Sequence, residues 1–186
     1  MPAGKVENGI FSGLDWFPTF VAAAGDPNIA DELLKGKQLD GTTYKVHLDG
    51  HDQLAYITGE TDESPRKHFF YVSDDGDLTA LRFDNWKFVF LEQRCVGTLQ
   101  IWAEPYVELR VPKLFNLRTD PYERADITSN TYYDWMMDHI FLFVPAQAYV
   151  AQMLQTLVEF PQRQKSASFS MDQVMAKLQD ATTRSS

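Results

Sequence analysis

Cysteine is almost missing from this chain of 186 residues: Cys95 stands alone. No internal disulfide can form, and no thiolate cluster is at hand for zinc. Basic charge is scarce as well. Against 26 Asp and Glu there are 17 Lys and Arg, a formal net charge of -9, which argues against a nucleic-acid partner. Residues Met1-Pro2-Ala3-Gly4-Lys5-Val6-Glu7-Asn8 lack a basic stretch followed by an apolar run, so no secretory signal is expected. There is no G-x-S-x-G elbow, no P-loop, no dinucleotide fingerprint and no internal repeat. Long uncharged runs are missing too, with one exception between Asp138 and Glu159. That run is long enough to cross a bilayer. Yet Pro145, Gln147, Gln152, Gln155 and Thr156 would be costly against lipid, so a buried core helix and no membrane partner are expected.

What is present is core-forming material. Hydrophobic residues make up 44% and aromatic residues 13%, which excludes a disordered chain. A chain of this size buries about 70% of its unfolded surface, so it needs no staple. The aromatic residues interleave with few cations and suit a core or an interface better than a base-stacking platform.

The chain divides by texture at residue 66. Ser12 to Ala24 reads as a helix entered at Ser12 or Asp15 and stopped by Gly25-Asp26-Pro27, with Pro18 in the tolerant first turn. Asn28 to Leu34 reads as a short helix ending at Gly36, Tyr44 to Leu48 as a strand, and Gly59 to Arg66 as a boundary loop. From residue 67 the strand signals dominate: His68 to Val72, Leu78 to Phe83, Trp86 to Leu91 and Leu114 to Leu117. Asp84-Asn85 suits a two-residue hairpin turn. In that register Phe83 faces Trp86, Leu81 faces Phe88, and Arg82 faces Lys87. Two cations directly opposite need an acidic partner such as Asp120 or Glu123, or a bound anion. Residues 119–186 read as helical, with N-caps among Thr128 to Thr131, a kink at Pro145 and a last amphipathic helix from Ser170 to Gln179. The fold expected is α+β: an antiparallel sheet of about four strands packed on a long kinked C-terminal helix, with short helices before it.

The chemistry on offer is thin. His47, Asp49 and His51 would point to one side of a strand and could ligate a metal for a small metal-dependent hydrolase. The plain alternative is an exposed strand end followed by an Asp-Gly turn. Cys95 beside Arg94 could be a thiol nucleophile, but no His lies near it in sequence, and a lone cysteine more often packs as a small apolar residue. His68 and His139 sit among aromatic or Met residues and read as core-edge side chains.

Read in order, several segments resemble the carboxy-terminal part of an arylsulfatase. They are Pro2-Ala3-Gly4-Lys5-Val6, Ser12-Gly13-Leu14-Asp15 with Pro18-Thr19, Leu48-Asp49-Gly50 with Ile57-Thr58-Gly59, and Ser64-Pro65-Arg66 through Phe70-Tyr71. Ala80-Leu81-Arg82, Trp86-Lys87, Leu114-Phe115-Asn116-Leu117, Asp120-Pro121 and Glu123 continue the match to about residue 126. The resemblance implies a sulfate ester hydrolase of the alkaline-phosphatase-like superfamily, often periplasmic or secreted. Such enzymes use a formylglycine made within a Cys/Ser-x-Pro-x-Arg motif and a divalent metal, typically calcium. This chain has no such motif: Ser64-Pro65-Arg66 lacks the spacing, and Cys95 is followed by Val96-Gly97. The resemblance therefore implies no catalytic, cofactor-binding or metal residue in this chain. It implies instead residues 1–66 as a terminal segment of the catalytic domain and 67–186 as a C-terminal subdomain. The chain then reads as a fragment, inactive alone, whose partner is a missing N-terminal sulfatase catalytic domain. Surface meant for that domain would favour a homo-oligomer. An autonomous binding or oligomerisation module, with a symmetric interface in its helical tail, is the other class the sequence leaves open.

Overall fold

The computed structural model describes residues 3–95 and 97–162; the helix expected over Ser170 to Gln179 lies outside them. Ser12 opens the first helical segment with a reciprocal cap. Its hydroxyl accepts from the Leu14 N–H at 3.2 Å, while the Asp15 carboxylate accepts from the Ser12 N–H at 2.9 Å. A 3-10 turn over Gly13–Asp15 then runs into α1 (Trp16–Ala23), with Pro18 in its first turn and Gly25 beyond its end. Helix α2 (Ile29–Lys35) stops at Gly36, whose φ of 105° suits only glycine.

Here the structure departs from the sequence reading. The strand expected over Tyr44 to Leu48 is instead a hairpin of β1 (Lys37–Leu39) with β2 (Thr42–Tyr44), and residues 45–50 are in no strand. The reason is the turn: Asp40 and Gly41 both have positive φ, 48° and 78°, the geometry of a tight two-residue hairpin loop. A short helix, α3 (Leu54–Thr58), follows.

The second unit is a four-stranded antiparallel sheet in the order β3-β4-β5-β6, from β3 (His68–Val72), β4 (Leu78–Phe83), β5 (Trp86–Gln93) and β6 (Tyr106–Asn116). The β4–β5 register is the one expected: Leu81 opposite Phe88, Arg82 opposite Lys87, Phe83 opposite Trp86. Strand β6 starts eight residues earlier than expected. It is an edge strand, where Pro112 removes no needed ladder bond. A short helix, α4 (Gln100–Ala103), sits between β5 and β6.

Leu81, Phe88 and Leu114 are fully buried at the centre of the sheet's core. After β6 come α5 (Ala125–Thr128), α6 (Tyr132–Asp138), a 3-10 turn over Ile140–Leu142, and α7 (Phe143–Glu159). The expected kink at Pro145 thus appears as a break just before it. Pro145 has no N–H for its i−4 partner Phe141 and crowds that carbonyl, and Phe141 lies within the 3-10 turn. The helices close the core through aromatic contacts: Phe88 against Phe143, Phe83 against Tyr149, and Trp86 against Trp135 and His139. The Tyr132 hydroxyl donates to the Leu114 carbonyl at 3.0 Å and accepts from its N–H at 2.9 Å.

The run between Asp138 and Glu159 is not the buried core helix expected. Ile140–Glu159 is long and apolar enough to cross a membrane by length and composition, and of α7 only Ala146 is buried. One face alone, through Phe143, Tyr149 and Val150, meets the sheet.

Candidate functional site

Three distant segments, residues 9–19, 49–53 and 64–68, converge on one carboxylate. Asp15 has no exposed surface and Arg66 retains 4%. The guanidinium grips Asp15 through Nε (2.9 Å to Oδ2) and Nη2 (2.5 Å to Oδ1), and its remaining donors reach the Asp49 and His68 carbonyls. The backbone N–H of His51 donates to Asp15 at 2.8 Å and the Gln53 amide at 3.1 Å. Burial by itself pushes the Asp15 carboxyl up. Arg66, the two backbone N–H groups of His51 and Ser12, and the Gln53 amide outweigh it and hold the pKa at about 2.

The ring around this pair is also closed. Thr19 donates to the Asp15 carbonyl at 2.6 Å and accepts from the Gln53 N–H. Ser64 contacts the Ile10 carbonyl at 2.7 Å and accepts from the Arg66 N–H. Gly50 lets this happen, since a Cβ there would lie 2.1 Å from the Leu14 carbonyl oxygen.

A carboxylate with every lone pair engaged can neither take a proton from a substrate nor ligate a cation. This centre is a structural staple. In the sequence, Ser64-Pro65-Arg66 reads as the end of a boundary loop, with nothing to pair Arg66 with Asp15. An arginine beside a proline in a polar loop was the available signal.

The histidine-rich turn does not gather as expected. Residues 47–51 form no strand, so the alternation that would align His47, Asp49 and His51 is absent. His47 Nδ1 pairs with Asp49 Oδ1 at 3.2 Å and its ring meets Phe160, while the His51 backbone is drawn to Asp15. No group of three or more His, Cys, Asp or Glu among the described residues could hold a metal ion. These residues therefore do not fit the divalent metal of a sulfatase, and Ser64, buried and hydrogen-bonded, does not fit a formylglycine position.

His51 is half-buried. Burial first, then the Arg66 cation, push its pKa down against the pull of Asp15 and Asp49. His68, set between Phe70 and Tyr149, is pushed down by burial, then by His51 and Arg66. His139 lies against Trp135 and Trp86, with Nδ1 2.7 Å from the Trp135 carbonyl. Both are the core-edge residues expected.

Cys95 is a free, half-buried thiol with no hydrogen bond or ion pair to other described residues. The Arg82–Lys87 pairing is relieved by Glu123. Both its oxygens accept from Lys87 Nζ, at 2.7 and 2.8 Å, while Arg82 Nε donates to the Asp84 carbonyl. Asp120 instead accepts from the Arg124 and Ala125 N–H groups. Two hollows open on the surface of the described residues. One of about 270 Å³ lies by Asn116, Asp120, Tyr132 and Trp135, and one of about 240 Å³ by Asn8, Arg66, Lys67 and Arg82.

The whole is an α+β unit of four antiparallel strands under a broken helix, tied through the Asp15–Arg66 pair to an N-terminal helical segment. The model for the C-terminal region of aryl-sulfatase matches residues 64–183, so the chain belongs to that family. Among solved structures it is similar to the PsFucS1 sulfatase from Pseudoalteromonas sp., at 28% identity and a TM-score of 0.59 over 87% of this chain. The chain spans 29% of the length of that sulfatase. None of the curated proteins matches it.

Proposed function

We propose that this chain is the C-terminal part of an arylsulfatase-like sulfate ester hydrolase, one that shapes the substrate cleft and supplies no catalytic residue itself. The observation that carries this reading is the state of the one fully buried carboxylate among the described residues. Asp15 is consumed by Arg66, His51, Gln53 and Ser12, so it is not free to act as acid, base or metal ligand. In the same reading, residues 1–66 finish a catalytic α/β domain and residues 67–186 form the subdomain beside it. The divalent metal and the formylglycine would be held by the part of a sulfatase that this chain does not span.

The partner of this chain is then an N-terminal sulfatase catalytic domain. The face that suits it is the aromatic side of the first helical segment, where Leu14, Trp16, Phe17 and Phe20 remain 44–63% exposed. Apolar surface of that extent on a helix calls for a partner. The test is hydrolysis of a chromogenic aryl sulfate by residues 1–186 in buffer containing calcium. Release indistinguishable from the protein-free blank is expected. Turnover that scales with protein and disappears on substituting a residue of this chain would overturn the proposal.

A further inference from the structure

Asparagine is a chemically labile residue, and most labile before glycine, where no side chain keeps the next backbone nitrogen away from its amide. Of the five asparagines here only Asn8 has that neighbour; the others precede Ile29, Trp86, Leu117 and Thr131. Asn8 and Gly9 are exposed and lie in no helix or strand, and Asn8 borders the hollow beside Lys67 and Arg82. Two features set this pair apart from an ordinary loop. Gly9 cannot be exchanged, because a Cβ there would lie 2.7 Å from both Tyr56 Oη and Ser64 Cβ. Its N–H is also held: it donates to the hydroxyl of the buried Tyr56 at 2.8 Å. Tyr56 in turn hydrogen-bonds the Glu7 carboxylate, which engages the hydroxyl proton and leaves a lone pair for Gly9.

We propose that Asn8 is a site of spontaneous deamidation to isoaspartate, and that the Tyr56 hydroxyl is its brake. The Gly9 nitrogen gives its proton to water or hydroxide and attacks Cγ of Asn8. The new N–Cγ bond closes a succinimide. The bond from Cγ to the side-chain nitrogen breaks, and that group takes up a proton and leaves as ammonia. Water then opens the ring, at the side-chain carbonyl to leave aspartate or at the main-chain carbonyl to leave isoaspartate. Attack needs the Gly9 nitrogen free, so the rate in the fold follows the fraction of time that its bond to Tyr56 is open.

Isoaspartate routes the main chain through Cγ and lengthens it by one carbon. Gly9 is hemmed in by Tyr56 and Ser64, and the Ile10 carbonyl meets the Ser64 hydroxyl at 2.7 Å. A longer chain cannot keep both the Gly9 and the Ile10 bonds. Ser64 also accepts from the Arg66 N–H and contacts Gln53, so conversion at residue 8 loosens the Asp15–Arg66 staple from outside. This chemistry is independent of any sulfatase partner.

The experiment incubates residues 1–186 at mildly alkaline pH, native and in urea. Peptide mass spectrometry and labelling by an isoaspartyl methyltransferase follow Asn8, and circular dichroism checks folding. In urea Asn8 should convert while Asn28, Asn85, Asn116 and Asn130 lag. Native protein should convert more slowly. Tyr56→Phe should quicken native conversion roughly fivefold, the factor equal to about 1 kcal/mol for one hydrogen bond. Asn8→Gln, whose longer side chain closes a ring far more slowly, should suppress the signal. Converted protein should exchange hydrogen faster around residues 12–19 and 49–66. No conversion at Asn8 in urea overturns the proposal. So does a native rate equal to the unfolded one, or a folded Tyr56→Phe variant that is no faster. The comparison of native protein with urea needs no variant, so it decides the matter even where Tyr56→Phe fails to fold.

Discussion

Residues 9–66 and the sheet are held together by different means, though they meet along one junction. In the first stretch, several of the most deeply buried side chains are polar: Asp15, Thr19, Gln53, Ser64 and Arg66. In the second they are Leu81, Phe88 and Leu114. A core of apolar contacts weakens gradually as area is removed. A buried ion pair ringed by hydrogen bonds fails steeply, because the partner left behind keeps its charge without compensation. The N-terminal segment should therefore be sensitive to charge and pH, and the sheet to volume.

The largest effects should come from one cut in each region. Arg66→Ala leaves Asp15 buried and unpaired, and is expected to cost about 3–5 kcal/mol. Phe88→Ala should cost a similar ~3–5 kcal/mol through its cavity. Hydrogen exchange should separate them, with protection lost first around residues 12–19 and 49–66 in the arginine variant, and across β4 and β5 in the phenylalanine variant. Identical exchange maps would erase the contrast. Replacing both members, as Asp15→Leu/Arg66→Met, should recover part of the loss, since no charge then stays buried.

Acid comes next. The native Asp15 pKa of about 2 lies below its ordinary 3.8, so its contribution is complete above about pH 4 and is lost as pH falls towards 2. That is on the order of 2 kcal/mol. His51 and His68, both shifted down, bind protons less readily in the fold than in the unfolded chain, which takes them up below about pH 6.5. Stability should therefore begin to decline as pH falls below that value. Denaturant titrations at stepped pH read both windows, and Asp15→Asn should flatten the lower one.

Tyr132→Phe strips both bonds to Leu114 and leaves a buried N–H without its partner. About 1–3 kcal/mol is expected from chemical denaturation. Smallest is Lys87→Met, which parts Lys87 from Glu123 at a half-screened position for about 1 kcal/mol or less. A larger loss would mean that the Arg82–Lys87 neighbours are held by more than that carboxylate.

The parts of this fold visible in the sequence are those decided by neighbours. Asp84-Asn85 sets a register two residues either side of itself, and Ser12 with Asp15 marks a helix start, because both depend on atoms a few bonds apart. The β1–β2 hairpin was legible in principle from Asp40-Gly41, but three-residue strands with exposed side chains leave little hydrophobic pattern. The early part of β6 has mostly exposed side chains and contains Pro112, so it carries little strand pattern, although a proline is tolerated on an edge. The staple was hidden for a deeper reason. Nothing near Arg66 in sequence shows that its carboxylate lies 51 residues away, and His47, Asp49 and His51 looked like ligands only while a strand was assumed to align them.

That separation of 51 residues also imposes an order in time. During synthesis Asp15 emerges long before Arg66, by about 3–10 s at typical elongation rates. Over that interval the carboxylate stays hydrated and the first helix has nothing to lock onto. Residues 9–66 therefore cannot complete this staple as they appear. It waits for a single late-arriving guanidinium, so a nascent chain stalled or clipped before that point would remain open however good its helices are.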